Sequence, residues 1–204
     1  VMDEKIKVEI TNKGWSGWWI VLAFFLGLFL SPHKVEAKEI RIGLIEYGVT
    51  AANVCNAIED GDLISLRTQG GSVEEAHALA DCVRSKDVVV KVLRAYSAGA
   101  YVAFSAKKVC LVESSTVGTH TPYSEWPDGS MHQLTMKQVR GILAHWGKRL
   151  YQQGYSADDT FFLLGLTFMT DSGSMTTINR DKLISLLGTR YVGHCDSVKL
   201  KEQE

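Results

Sequence analysis

Apolar runs and helical periods alternate along this chain in a strict order, and that alternation restricts the fold more than any other feature. Glu39–Glu46 (EIRIGLIE) alternates like a strand, and Val49–Glu59 carries Val54, Ala57 and Ile58 on one side of a short helix that Asp60-Gly61 ends. Leu63, Ile64 and Leu66 read as a buried strand, and Val73, Ala76, Leu79, Ala80 and Val83 as one face of a helix. Val88–Leu93 is a β-branched strand, Tyr101–Ala106 a further helix and Val109–Val112 a further strand. Strands separated by helices imply a mainly parallel sheet, whose crossover connections are right-handed. At 204 residues the chain suits one medium domain with appendages.

Three places along this alternation carry chemistry. Gly70 and Gly71 stand between a strand end and a helix start, where backbone N–H groups can point into open space toward an oxyanion or carboxylate. Ser72 and Glu75 follow with capping-box spacing. The bland reading of the glycines is a tight turn. Ser97, in Ala95-Tyr96-Ser97-Ala98-Gly99-Ala100, lies where the next strand gives way to a helix. Its small neighbours let a substrate backbone approach the hydroxyl, and the helix N-terminus favours negative charge. A plain N-cap is the competing role. His120, in Val117-Gly118-Thr119-His120-Thr121-Pro122, comes about two dozen residues later and beyond one more strand, so only the fold can bring it to Ser97 as a general base.

These pieces, in this order, resemble the Clp-protease/crotonase superfamily, in particular its ClpP-like serine peptidases and the related SppA-type exported, membrane-associated members. Such proteins carry a strand, a Pro-Gly-Gly turn with an apolar helix, a small-Ser-small-Gly-Ala nucleophile turn and a His in an apolar-Gly-x-His setting. Here Gln69 stands where the family usually has Pro, and the likeness covers residues 40–123. The resemblance implies an α/β fold, a ββα spiral with a mainly parallel sheet and C-terminal helices. It implies Ser97 as nucleophile, His120 as base, and the backbone N–H groups of Gly71 and Ala98 as oxyanion donors. A carboxylate well beyond the His completes the family's triad. Asp171, in Met169-Thr170-Asp171-Ser172-Gly173, falls at about that distance, with Asp158, Asp159 and Asp181 as rivals. Lys107 and Lys108 lie at a strand start, which does not suit SppA-like Ser–Lys chemistry. The implied partners are a peptide or protein substrate and further copies of the chain, with no cofactor. Two other readings stay open: a catalytically silent binding or assembly module, and an acyl-CoA enzyme, which needs paired N–H donors but no nucleophilic Ser.

The N-terminal stretch is built differently. Lys5, Lys7 and Lys13 precede an almost wholly apolar run, Trp15–Leu30, and Val35-Glu36-Ala37 then forms a small-x-small cleavage pattern before Lys38. This is the three-part layout of a secretory signal. Residues 1–37 are therefore expected to be a signal peptide cleaved after Ala37 or a membrane anchor. Residues 38–204 form the domain, exported to the periplasm or held outside the cytoplasm. The four cysteines Cys55, Cys82, Cys110 and Cys195 all follow that point. They permit three pairings that sequence cannot separate, and Cys82, on the apolar side of its helix, is alternatively a buried thiol. No spacing suits zinc, so no metal is assigned. A net charge of −1 without a basic stripe argues against nucleic acid as a partner.

Past His120, Pro122–Ser130 reads as a loop whose Tyr123 and Trp126 either line a substrate groove or cover the core. Gln133–Gln153 reads as a long helix with Leu134, Val139, Ile142, Leu143, Trp146 and Leu150 on its apolar face; the resemblance implies that this region is the handle or the oligomer contact, which makes the Trp146 face a candidate interface. A helix capped by Ser156 with Asp159, another over Asn179–Leu187, and edge segments at Arg190–Val192 and Ser197–Leu200 complete the chain.

Overall fold

The structure is a computed structural model that describes residues 37–125 and 130–198. The signal or anchor segment, the Ala37 cleavage junction's upstream side, Trp126 and the end of the last edge segment lie outside these residues. Four parallel strands lie side by side: β1 (Glu39–Ile45), β2 (Leu63–Gly71), β3 (Val89–Tyr96) and β4 (Val109–Thr119). Helices α1 (Thr50–Ala57), α2 (Val73–Ser85) and α3 (Ala98–Ser105) provide the crossovers. Ile64, Leu66, Val90, Val92 and Leu111 are fully buried, as expected of central parallel strands covered on both faces.

All three strand interfaces slip register at one level, between Ile42 and Leu44, Leu66 and Arg67, and Val92 and Arg94. Such irregularities bend a sheet and re-aim its ends. The effect is largest in β4, where Val92 pairs with Leu111 but Arg94 already pairs with Thr116. The first part of β4 therefore joins β8 (Tyr191–His194) in parallel, and the last part joins β7 (Thr176–Ile178) antiparallel. Polar groups freed at this corner are taken up by side chains: Ser115 Oγ donates to Val92 O at 2.6 Å, and Arg180 Nη1 to Val112 O at 2.7 Å.

The expected elements are present with shifted limits. β4 runs seven residues past Val112, and α3 starts at Ala98, directly after Ser97. The long C-terminal helix is shorter than its apolar pattern suggested. Thr135 and Gln138 form a capping box that starts α4 at Met136 (Met136–Gln152), while Met131–Gln133 instead pairs with Tyr123–Glu125 as the hairpin β5–β6. Ser156 and Asn179 cap α5 (Ala157–Met169) and α6 (Arg180–Leu187). The last edge strand is Tyr191–His194, and Ser197 closes a 3-10 turn.

Two further expectations are corrected and one open alternative is decided. Trp146 is not an outward contact: it is only 6% exposed and packs edge-on against Tyr101 at 5.5 Å. Only half of the Ser72–Glu75 capping box forms. Ser72 Oγ accepts from Glu75 N, but the Glu75 carboxylate reaches across to Gly48 N at 2.9 Å and Ala51 N at 2.8 Å, satisfying free donors at the start of α1. Cys82 is not a free thiol, because it pairs with Cys55 between α2 and α1, while Cys110 pairs with Cys195 and ties β4 to the C-terminal turn. Chain entropy puts these crosslinks at about 3.5 and 4.5 kcal/mol respectively. Peptide mapping without reduction should recover these two linkages, and reduction should lower the urea midpoint sharply. A different pairing would overturn the placement of the C-terminal turn.

Candidate active site

Ser97 sits at the junction of β3 and α3 with φ 52° and ψ −124°, the one non-glycine residue with positive φ among the described residues. A conformation of this kind costs a residue with a Cβ about 1–3 kcal/mol and is the geometry that lifts a nucleophile onto a sharp strand-to-helix turn. Fixed hydrogen bonds hold it: Ser97 N donates to Gly118 O at 2.9 Å, and Ala100 N to Ser97 O at 3.0 Å. The N-cap alternative fails on geometry, since the Ser97 side chain makes no cap hydrogen bond. The hydroxyl is left for other work.

The Gly-Gly turn is pressed against this elbow. A Cβ at Gly70 would lie 2.6 Å from Ser97 Cβ and 3.2 Å from Ser97 Oγ; one at Gly71 would lie 2.2 Å from the Ile45 carbonyl oxygen. Both glycines have positive φ, 110° and 134°, so no other residue fits either position. Thr68, unremarked in the sequence, organises both sides. Its Oγ1 accepts from Gly70 N at 2.9 Å, and its methyl occupies the space that a side chain at Gly99 would need. Gly70 N–H is thus spent on the turn. Ala98 N–H, at the first position of α3, has no intrahelical acceptor.

His120 follows the end of β4 and is 8% exposed. Its Nδ1 lies 2.8 Å from the Thr121 carbonyl oxygen, and its ring stacks on Tyr123 with centroids 5.4 Å apart. Ser97, Ala98, Gly71 and His120 share the wall of one cleft of about 840 Å³, where Ser97 and His120 do not hydrogen bond to each other. Such contacts commonly tighten only with substrate in place. Leu44 and Tyr47 stand exposed at one side of the cleft, and Ile142, Trp146 and Tyr101 line it too.

Asp171 is not brought to His120. The chain leaving α5 sets Thr170 against the His120 loop, with Thr121 N donating to Thr170 O at 3.0 Å. Asp171 is exposed and borders a separate depression, beside Pro122 and Met169. Its rivals are elsewhere as well: Asp158 and Asp181 lie in first turns of helices, and Asp159 pairs with Lys182 at 3.6 Å. Lys107 is exposed and Lys108 pairs with Asp87. Among the described residues, no three His, Cys, Asp or Glu side chains converge as metal ligands.

No protein-family profile and no curated protein matches the chain, but solved structures do. ClpP1 from Listeria monocytogenes overlays with a TM-score of 0.58 at 15% identity, over 79% of this chain and 94% of that one. A mutant of the membrane-bound stomatin-specific protease 1510-N overlays with a TM-score of 0.57 at 13% identity, over 79% of each chain. The fold is ClpP-like. A second 1510-N mutant, solved with a substrate peptide, matches at a TM-score of 0.54 and 15% identity, over 79% of this chain and 75% of that one. At these identities the ClpP-like likeness is one of backbone, and the site is read from this chain's own residues.

His77, on α2, is a cleft residue that sequence reasoning passed over. Its ring packs edge-on to Tyr101 at 4.7 Å and lies 4.6 Å from His145 of α4. Burial pushes its imidazole down to about 4; positive charge at His145 and Arg149 acts in the same direction, and Asp81 opposes it. The folded value is below the ordinary 6.5, so between the two the unfolded chain binds the extra proton. This contribution to stability is complete above pH 6.5 and is lost as the pH falls toward 4. The urea midpoint should therefore drop more steeply over that window in the parent than in His77→Phe. Parallel pH profiles would contradict the neutral state of the half-buried ring.

Proposed function

We propose that this chain is a serine peptidase of ClpP-like type that hydrolyses peptide bonds through Ser97 and His120. The observation that carries the reading is the strained Ser97 elbow, its hydroxyl unspent and pressed against the Gly70-Gly71 turn. A serine oxygen gains nothing structural from that position, and the strain is what presents it to the cleft.

In the proposed reaction Ser97 Oγ attacks the peptide carbonyl carbon while His120 Nε2 takes the hydroxyl proton. The carbonyl oxygen becomes an oxyanion received by Gly71 N–H and Ala98 N–H. The tetrahedral intermediate collapses, His120 returns the proton to the leaving amine, and water cleaves the acyl-enzyme by the same route. One oxyanion donor is worth about 3 kcal/mol in comparable sites, so the glycine turn matters to rate as much as the base does. An extended peptide suits the open cleft, whose rim residues Leu44, Tyr47 and Tyr123 are mostly apolar.

Residues 38–204 are proposed to work outside the cytoplasm, with residues 1–37 as signal or anchor. Two disulfides support this, since such bonds persist in oxidising compartments. Among the described residues no helix is long and apolar enough to cross a membrane. A homo-oligomer is proposed as well, supported by the apolar outer side of α5, where Phe161 is 76% and Met169 85% exposed. One observation favours a second reading, a catalytically silent binding module: Ser97 and His120 share the cleft unbonded, and among the described residues no carboxylate bonds to the His.

A fluorophosphonate serine probe decides between them. The purified chain should become labelled, and Ser97→Ala and His120→Ala should each abolish labelling. No labelling of folded parent protein would favour the silent module.

A further inference from the structure

The family triad leaves a gap here, because His120 has a hydrogen-bond partner but, among the described residues, no carboxylate bonded to it. We propose that the main-chain carbonyl of Thr121 orients His120, so that Ser97 and His120 can act as a dyad without Asp171 as a third member. The proposal rests on the serine chemistry above and concerns how its base is held.

A carbonyl oxygen only accepts, so the 2.8 Å contact requires the proton on Nδ1 and leaves the Nε2 lone pair as the base. That is the tautomer an orienting aspartate would impose. The ring has little freedom to choose another partner, since it is buried and stacked on Tyr123. The carbonyl is itself fixed. Thr121 N donates to Thr170 O at 3.0 Å, and Thr121 Oγ1 lies 2.6 Å from Thr170 O and 3.0 Å from Thr167 O. These acceptors belong to the C-terminal end of α5, where helix carbonyls have lost their intrahelical donors. Thr121 satisfies that helix end and, in doing so, clamps the peptide that holds His120. Thr121 is thus a positioning residue, acting through its own carbonyl, while Asp171 is exposed and borders the separate depression.

The test combines nitrogen NMR of the histidine-labelled full chain with probe kinetics on variants. The His120 signal, assigned by its loss in His120→Ala, should show a protonated Nδ1 and a bare Nε2. Asp171→Ala should keep the inactivation rate constant within about twofold, whereas Thr121→Val should lower it about tenfold with probe binding unchanged. Thr121→Ser should restore the rate. A bare Nδ1, or loss of labelling in Asp171→Ala as complete as in His120→Ala, would overturn the proposal; so would a Thr121→Val rate equal to the parent's. If the parent does not label at all, the serine chemistry falls, and the tautomer alone decides how His120 is held.

Discussion

The end of β2 lies so near the Ser97 elbow that only glycine fits between them, and the site depends on that approach. A methyl group at Gly70 would stand 2.6 Å from Ser97 Cβ. The approach is possible because β2 and β3 are adjacent parallel strands whose carboxyl ends finish at the same edge, each running into a helix. Ligand sites of open α/β sheets gather at that edge for this reason. The register slip shared by three strand pairs turns the strand ends, and α3, buried along its whole length, holds the elbow from behind. The strain at Ser97 is small beside the burial of α3, so the surrounding core can maintain it.

Around this fixed point the more adjustable parts are attached by specific ties. Glu75 joins the start of α1 to α2, and the Cys55–Cys82 bridge joins the two helices again. Cys110–Cys195 fastens the C-terminal turn to the same strand that carries His120 at its other end. His120 therefore belongs to a different layer of constraint from Ser97. Ser97 is set by backbone and core, whereas His120 is set by one carbonyl, one stacked ring and the end of α5.

Much of this was legible in the residues. The strand–helix alternation, the Gly-Gly turn and the small residues round Ser97 are local signals, and local signals determined β1 to β4 and the elbow. What stayed hidden was set by side chains meeting across long separations. The spacing that pointed to Asp171 measures distance along the chain, but the exit from α5 put Thr170, one residue earlier, against Thr121, the residue after His120. Apolar periodicity could not say whether Trp146 faced out or in, because only packing against Tyr101 decides it. Cysteine pairing and the reach of Glu75 likewise depended on which helices became neighbours. Gln133 and Leu134 fit the apolar helical period, but the Thr135–Gln138 capping box starts α4 only at Met136.

On the proposed mechanism, Gly71 and Ala98 receive the oxyanion formed at Ser97. A crystal structure of the phosphonylated protein tests it most directly, because the phosphoryl oxygen stands where the oxyanion would. A covalent bond to Ser97 Oγ is expected, with that oxygen about 2.7–3.1 Å from both backbone nitrogens. An adduct whose oxygen turns to solvent, away from the glycine turn, would contradict it.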